Sequence, residues 1–141
     1  MVSLPIFGGD SELVVPSEFF GYRSLDHAER AESGSRKSLV RFGVIGAATW
    51  VLWDTDSGEI LSGVDSSELS LVNTSLARFV DCVDKVGEMF PFYAPDSEYE
   101  DWEAAAVRVQ EVVKGIDPEA YREGLFWCEF RWELTMGEFH E

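Results

Sequence analysis

Carboxylate side chains are the groups in this sequence best suited to chemistry. Glu98, Glu100, Asp101 and Glu103 fall within one short segment. Paired acids of this kind serve in enzymes that hydrolyse glycosidic bonds. Here they belong to the first turns of a predicted helix, on an exposed face, where a raised pKa is not expected. A carboxylate-dependent hydrolase is therefore an alternative. The signal is weak, because any chain with this many acidic residues contains such pairs.

A second acidic pattern, Asp54-x-Asp56-x-Gly58, resembles the beginning of a calcium-binding loop. The further acids that such a loop requires are out of register. Asp and Gly also have an independent reason to lie here, because both favour β-turns. We therefore predict a turn, with no metal site and no cofactor site.

Histidine and cysteine offer little to a catalytic site. His27 and His140 are far apart in sequence, as are Cys82 and Cys128. We predict no catalytic residues and reduced thiols, which are typical of a cytoplasmic protein. Residues 1–10 lack the basic and apolar regions of a signal peptide, and no apolar run is long enough to span a membrane. The expected location is the cytoplasm.

Net charge is the strongest feature of the composition. The chain has 27 acidic and 11 basic residues, a formal charge of −16. Residues 1–42 contribute only −1 of this charge, and residues 43–141 contribute −15. Such a field repels nucleic acid and anionic lipid and attracts basic partners, although it also serves solubility. We expect a basic protein partner, and neither nucleic acid nor membrane.

The central element predicted by the sequence is a helix that follows a short strand. Residues 69–72 form the strand, and residues 73–75 are all good N-cap residues. From Leu76 the apolar residues recur at helical spacing as far as Val86, and Gly87 follows as a candidate C-cap.

Strands are predicted before this helix. Residues 39–45 and 49–53 are rich in β-branched and aromatic side chains, and residues 59–64 return after the turn at 54–58. Residues 1–21 should form short extended pieces. A short helix is expected at 26–32.

Helices are predicted after residue 87. Ser97-x-x-Glu100 matches a capping box that opens a helix ending at Gly115, and Asp117-Pro118 opens another segment. Residues 125–134 fit a helix or a strand; we favour a helix capped by Gly137. At 141 residues the chain is expected to be a single domain, 1–141.

Several short motifs occur in a recognisable order. They are Leu52-Trp53-Asp54-x-x-Ser57-Gly58-Glu59-Ile60, Val72-Asn73-Thr74-Ser75-Leu76-x-x-Phe79, Asp117-Pro118, Phe126-Trp127 and Met136-Gly137-Glu138. This order resembles the SUKH superfamily of bacterial immunity proteins, most closely its fourth family, over residues 39–138.

The resemblance implies an α+β fold with a central, mostly antiparallel sheet flanked by helices. It also implies that the protein binds and neutralises a toxin encoded beside it, often a nuclease or a nucleic-acid deaminase. No catalytic residues carry over. Because the superfamily includes regulatory proteins, a regulatory scaffold is a further alternative.

An acidic inhibitor can occupy the basic groove of an enzyme that acts on nucleic acid. The predicted partner-binding residues are therefore acids of the hairpin turn and of the second long helix. They are Asp54, Asp56, Glu59, Glu98, Glu100, Asp101 and Glu103.

Overall fold

The computed structural model describes residues 1–6, 11–64, 68–94 and 96–136. The chain divides into two compact units, residues 1–80 and 81–141, which are described separately below. The prediction of a single domain stays a prediction.

The first unit is built from strands. Their bounds are β1 Val2–Pro5, β2 Glu12–Val15, β3 Glu18–Phe19, β4 Tyr22–Ser33, β5 Arg36–Ile45, β6 Thr49–Asp54, β7 Ile60–Gly63 and β8 Ser70–Asn73. Strands β1 and β2 pair with each other, and the remaining six form one sheet in sequence order. Every pair of neighbouring strands is antiparallel.

Helices follow the strands. Their bounds are α1 Leu76–Gly87, α2 Tyr99–Ile116, a 3-10 helix Pro118–Ala120 and α3 Phe126–Thr135. The predicted α+β class is confirmed by this sequence of elements. The strands predicted over 39–64 and 69–72 are also present, with bounds that differ by a few residues.

Aromatic rings pack together within the first unit. The ring of Tyr22 meets that of Phe79 edge to face at 5.6 Å, and Phe79 meets Phe42 at 6.0 Å. Tyr22 is fixed at its other end, because its hydroxyl donates to Pro16 O at 2.9 Å. Gly43 lies against this ring, and a Cβ there would come within 2.5 Å of Tyr22 Cε1.

The prediction of a helix at 26–32 is wrong, because these residues belong to β4. This strand is paired with β3 on one side and β5 on the other. Glu29 lies opposite Arg41 on β5, and the two side chains form an ion pair at 2.8 Å. Pairing of residues 29–31 with β5 outweighs a weak local preference for helix, which tertiary context often overrides.

Helix α1 begins at Leu76, as its spacing predicts. Ser75 Oγ accepts from Arg78 N at 3.1 Å, so one of the predicted N-cap residues serves as the cap. The helix includes Gly87, which is its last residue and has no left-handed φ. The boundary between the two compact units falls within this helix.

In the second unit, α2 buries a stripe of small side chains, Ala105, Ala106, Val109 and Val113. The helix favoured for 125–134 is confirmed as α3, which buries Trp127, Phe130 and Leu134. Gly115 does not end α2, because Asp117 N still donates to Val113 O at 2.8 Å. The predicted cap at Gly137 lies outside the described residues.

Candidate functional site

The turn between β6 and β7 holds the first group of predicted partner-binding acids. Asp54 is the last residue of β6 and is 3% exposed. Its Oδ1 accepts from the backbone N–H groups of Asp56 at 2.9 Å and Ser57 at 3.2 Å. Gly58 then adopts a φ of 86°, the left-handed conformation that glycine tolerates best. The predicted turn is therefore present, and Asp54 stabilises it.

A guanidinium group from β5 pairs with two of the acids at this turn. Arg36 Nη1 donates to Asp54 Oδ2 at 2.7 Å and to Glu59 Oε1 at 3.1 Å. Burial raises the pKa of Asp54, but Arg36 and the two backbone donors outweigh it, so the net shift is downward. Asp54 and Glu59 are thus engaged within the chain, whereas Asp56 is exposed at the tip of the turn.

The second group of acids lies at the start of α2. Glu98 is the N-cap residue, and its side chain accepts from the N–H of Asp101. Asp101 Oδ2 in turn accepts from Glu98 N at 3.1 Å. The capping box is therefore one residue later than Ser97-x-x-Glu100 predicts. Ser97 Oγ instead accepts from the indole of Trp102 at 2.9 Å.

A shallow pocket lies beside this helix start. Its volume is about 460 Å³, and its wall includes three carboxylates, those of Asp96, Glu98 and Asp101. Arg108 also lines it and donates to Phe92 O at 3.4 Å. Glu100 is exposed on the same turn of helix. The structure thus brings Glu98 and Asp101 together on one pocket wall.

Glu103 has a different environment. Its Oε1 lies 2.7 Å from Arg131 Nη2 on α3, and the Arg131 side chain is 8% exposed. Arg131 also donates to Thr135 Oγ1 at 2.7 Å and to Gln110 Oε1 at 3.2 Å. Glu103 therefore connects α2 and α3, a role that sequence reasoning did not foresee.

Arg36 is the residue of this candidate site that sequence reasoning missed. In the sequence it is one of several basic residues in a polar stretch, where a solvated charge is the ordinary interpretation. The sequence feature that could have identified Arg36 is its position directly after Ser33-Gly34-Ser35, a stretch that favours a turn. There a tight hairpin starts β5, the strand that also pairs with β6.

The ionisation of these carboxyl groups gives no support to the hydrolase alternative. The pKa values of Glu29 and Asp54 are both displaced downward. For Glu29 the main cause is its hydrogen bond with Arg41, and His27 adds to it. A general acid needs the opposite displacement. Among the described residues, no three His, Cys, Asp or Glu side chains converge on a metal-binding position.

These elements define an α+β protein in which strands β3 to β8 form one antiparallel meander. A family model described as SUKH-4 immunity protein matches residues 11–133, and the chain belongs to this family. The predicted resemblance is confirmed, and the match begins well before the motifs that suggested it. Family membership assigns an immunity function to the chain.

Comparisons with curated proteins and with solved structures found no match. Within the described part of the chain, no helix is long and apolar enough to cross a membrane.

Proposed function

We propose that this chain neutralises a toxin that acts on nucleic acid, by binding it stoichiometrically and covering its basic active-site groove. The observation that carries the proposal is the charge of −15 in residues 43–141 of a chain that belongs to an immunity family. Nucleases and nucleic-acid deaminases bind a polyanion, so an acidic surface competes for the same groove. In this proposal the chain inhibits without catalysing a reaction.

The predicted acids divide by their engagement within the chain. Asp54, Glu59 and Glu103 each have an arginine partner. Asp56 and Glu100 are exposed. A carboxylate already paired has less to gain from a basic partner, so Asp56 and Glu100 are the stronger interface candidates. Glu98 and Asp101 are also exposed, and they can receive a lysine or arginine of the toxin at the pocket wall.

Co-expression tests the proposal. The toxin encoded beside this chain should arrest growth alone, and growth should recover when the full chain is co-expressed and the two proteins co-purify. Purified components should form an equimolar complex that blocks cleavage or deamination of nucleic acid. Absence of a complex, or a complex with a fully active toxin, would contradict the proposal.

The electrostatic part has a separate test. The association rate should fall as salt rises, because steering by opposite charge is screened. The double variant Asp56→Asn/Glu100→Gln should associate several-fold more slowly than wild type. The control Glu12→Gln/Glu18→Gln removes the same charge from exposed positions in the nearly neutral residues 1–42. Equal slowing in both variants would indicate that net charge, rather than these two positions, steers association.

A regulatory scaffold remains the second candidate, because the fold alone does not determine the partner. It predicts that the chain binds a cytoplasmic protein other than the neighbouring toxin and gives no protection in the growth assay.

A further inference from the structure

The outward face of α3 combines large apolar side chains with carboxylates. Its exposed residues are Glu129, Trp132, Glu133 and Met136, the last of which is the C-cap residue. Residues three and four apart on a helix are neighbours, so these four side chains form one continuous surface, called here the Trp132 stripe. Trp132 is 51% exposed and Met136 is 70% exposed.

Trp132 differs from the other tryptophans of the chain. Trp127, two turns of chain direction away on the inward face of the same helix, is 0% exposed, and Trp50, Trp53 and Trp102 are half-buried. An indole that stays half in water contributes little to the core. Tryptophan and methionine are enriched at protein interfaces, and tryptophan is among the residues that most often dominate their binding energy.

The ring of Trp132 rests on a fixed support. The guanidinium carbon of Arg131 lies 4.0 Å from the centroid of this ring. Arg131 is itself held by Glu103 at 2.7 Å, by Gln110 at 3.2 Å and by Thr135 at 2.7 Å. Because the support is already ordered, a partner that covers the ring loses little conformational entropy in ordering it.

Helix α2 extends this surface. Glu100, Glu103 and Val107 recur at helical spacing, and Glu103 contacts Arg131, so their face of α2 adjoins α3. Glu100 is exposed, and Val107 is 40% exposed. The acid that the proposed function favours in this unit therefore lies on the face of α2 next to the helix that carries Trp132.

The charges of the Trp132 stripe indicate its occupant. Glu129 and Glu133 flank Trp132, and the face of an indole ring attracts cations. A lysine or arginine can therefore cover the ring while it pairs with a carboxylate. A second copy of the chain fits poorly, because a two-fold contact sets the same acids against each other and each copy carries a charge of −16. Nucleic acid and anionic lipid are repelled for the same reason.

We propose that the Trp132 stripe is a docking face for the toxin, on which a toxin lysine or arginine stacks on Trp132 and pairs with Glu129 or Glu133. This inference rests on the proposed function and locates one of its contacts. The overall charge then governs the association rate, and Trp132 governs the lifetime of the complex.

The first test measures binding of the full chain to the purified toxin domain encoded beside it. We expect Trp132→Ala to raise Kd about tenfold or more, mainly through faster dissociation. Trp132→Phe keeps an aromatic face and should recover part of the affinity. Val14→Ala is the control, because Val14 is 50% exposed on β2 in the first unit, and its Kd should equal that of wild type.

A charge reversal tests the same face without altering the ring or its support. Glu129→Lys should weaken toxin binding several-fold, because it places a cation where the toxin presents one. Glu18→Lys makes the same change at an exposed position on β3 and should have a much smaller effect. Equal weakening in both variants would show that net charge acts alone, and the docking face would be overturned.

Fluorine NMR tests contact at the ring directly. The chain is produced with 5-fluorotryptophan, and the Trp132 resonance is assigned by its loss in Trp132→Phe. We expect unlabelled toxin to shift this resonance and to remove its sensitivity to the exchange of water for deuterium oxide, because the toxin excludes solvent from the ring.

The possible outcomes separate the two proposals. If wild type binds toxin but Trp132→Ala binds equally well and the Trp132 resonance stays in place, the docking face is overturned while the proposed function stands. A lower unfolding temperature of Trp132→Ala with an unchanged Kd would show that the ring only covers the ion pair of Arg131, which also overturns the docking face. If the resonance moves with the concentration of the chain itself, a second copy occupies the stripe, and the inference fails. If wild type does not bind the toxin, both proposals fail.

Discussion

Arg36 on β5 lies 2.7 Å from Asp54 at the end of β6, and this ion pair fixes the turn that follows. The same guanidinium reaches Glu59 beyond the turn at 3.1 Å. Arg36 therefore connects the start of β5, the end of β6 and the residue directly before β7. Asp54 belongs to the acidic pattern Asp54-x-Asp56, and it stabilises the turn whether or not a partner is bound.

Replacing Asp54 with Asn should reduce stability. The amide oxygen can still accept from the backbone of the turn, but the charge-assisted bond to Arg36 is lost. We expect a decrease of about 2 kcal/mol in the free energy of unfolding near neutral pH. Chemical denaturation measures it, with Asp84→Asn as the control because Asp84 is exposed on α1. A loss as large in Asp84→Asn would indicate a general charge effect instead.

The same variant should change the dependence of stability on pH. The pKa of Asp54 is lowered in the folded chain, since Arg36 and the turn amides outweigh burial. The contribution of a group with a depressed pKa is present above its unfolded pKa and is lost as pH falls through the folded one. Below about pH 4, wild type should therefore lose stability more steeply than Asp54→Asn. Parallel curves over this range would contradict the assignment.

Substituting alanine at Gly43 should be destabilising. The new Cβ would lie 2.5 Å from Tyr22 Cε1 and 3.2 Å from Arg23 O. The Tyr22 ring cannot withdraw freely, because its hydroxyl is bonded to Pro16 O. Overpacking of this kind costs about 1–3 kcal/mol.

Gly115→Ala is the matched control for this prediction. A Cβ there meets no atom within 4 Å, and Gly115 lies inside α2. Because alanine favours helix over glycine, this variant should gain about 0.5–1 kcal/mol. Thermal unfolding of both variants measures the contrast, and a stability gain in Gly43→Ala would refute the predicted close contact.

Glu103→Gln should weaken the connection between α2 and α3. Arg131 is nearly buried, so the loss of its carboxylate partner leaves a desolvated charge with fewer bonds. We expect a cost of about 2 kcal/mol. Glu111→Gln, at an exposed position of the same helix, should be nearly neutral. If Glu103→Gln unfolds like wild type but loses toxin affinity, Glu103 acts at the interface and not in the fold.

Ser75→Ala should shorten the start of α1. Its hydroxyl accepts from Arg78 N at 3.1 Å, and losing an N-cap side chain costs about 1 kcal/mol. Ser70→Ala, at an exposed position on β8, serves as the control. Chemical denaturation measures the difference in stability between Ser75→Ala and Ser70→Ala as a difference in the midpoint of unfolding. No difference between the two variants would show that Ser75 is not the cap.

Local chemistry allowed much of the fold to be predicted. The apolar spacing from Leu76 to Val86 gave helix α1, and the β-branched and aromatic residues of 39–64 gave the hairpin. Both signals depend on neighbours close in sequence, which is why periodicity captures them. The segment 26–32 was predicted wrongly because its structure depends on β5, a partner that its own composition does not indicate.

The sequence by itself determined the charge excess, the α+β order of elements, the turn at 54–58 and the family motifs, since each follows from residue type and short spacing. The tertiary structure decided which charges are engaged. Only strand register and helix packing bring Arg36 to Asp54, and Arg131 to Glu103, across gaps of 18 and 28 residues. Acidic residues that are indistinguishable in the sequence therefore differ in role, because the fold determines which of them lie close to an arginine.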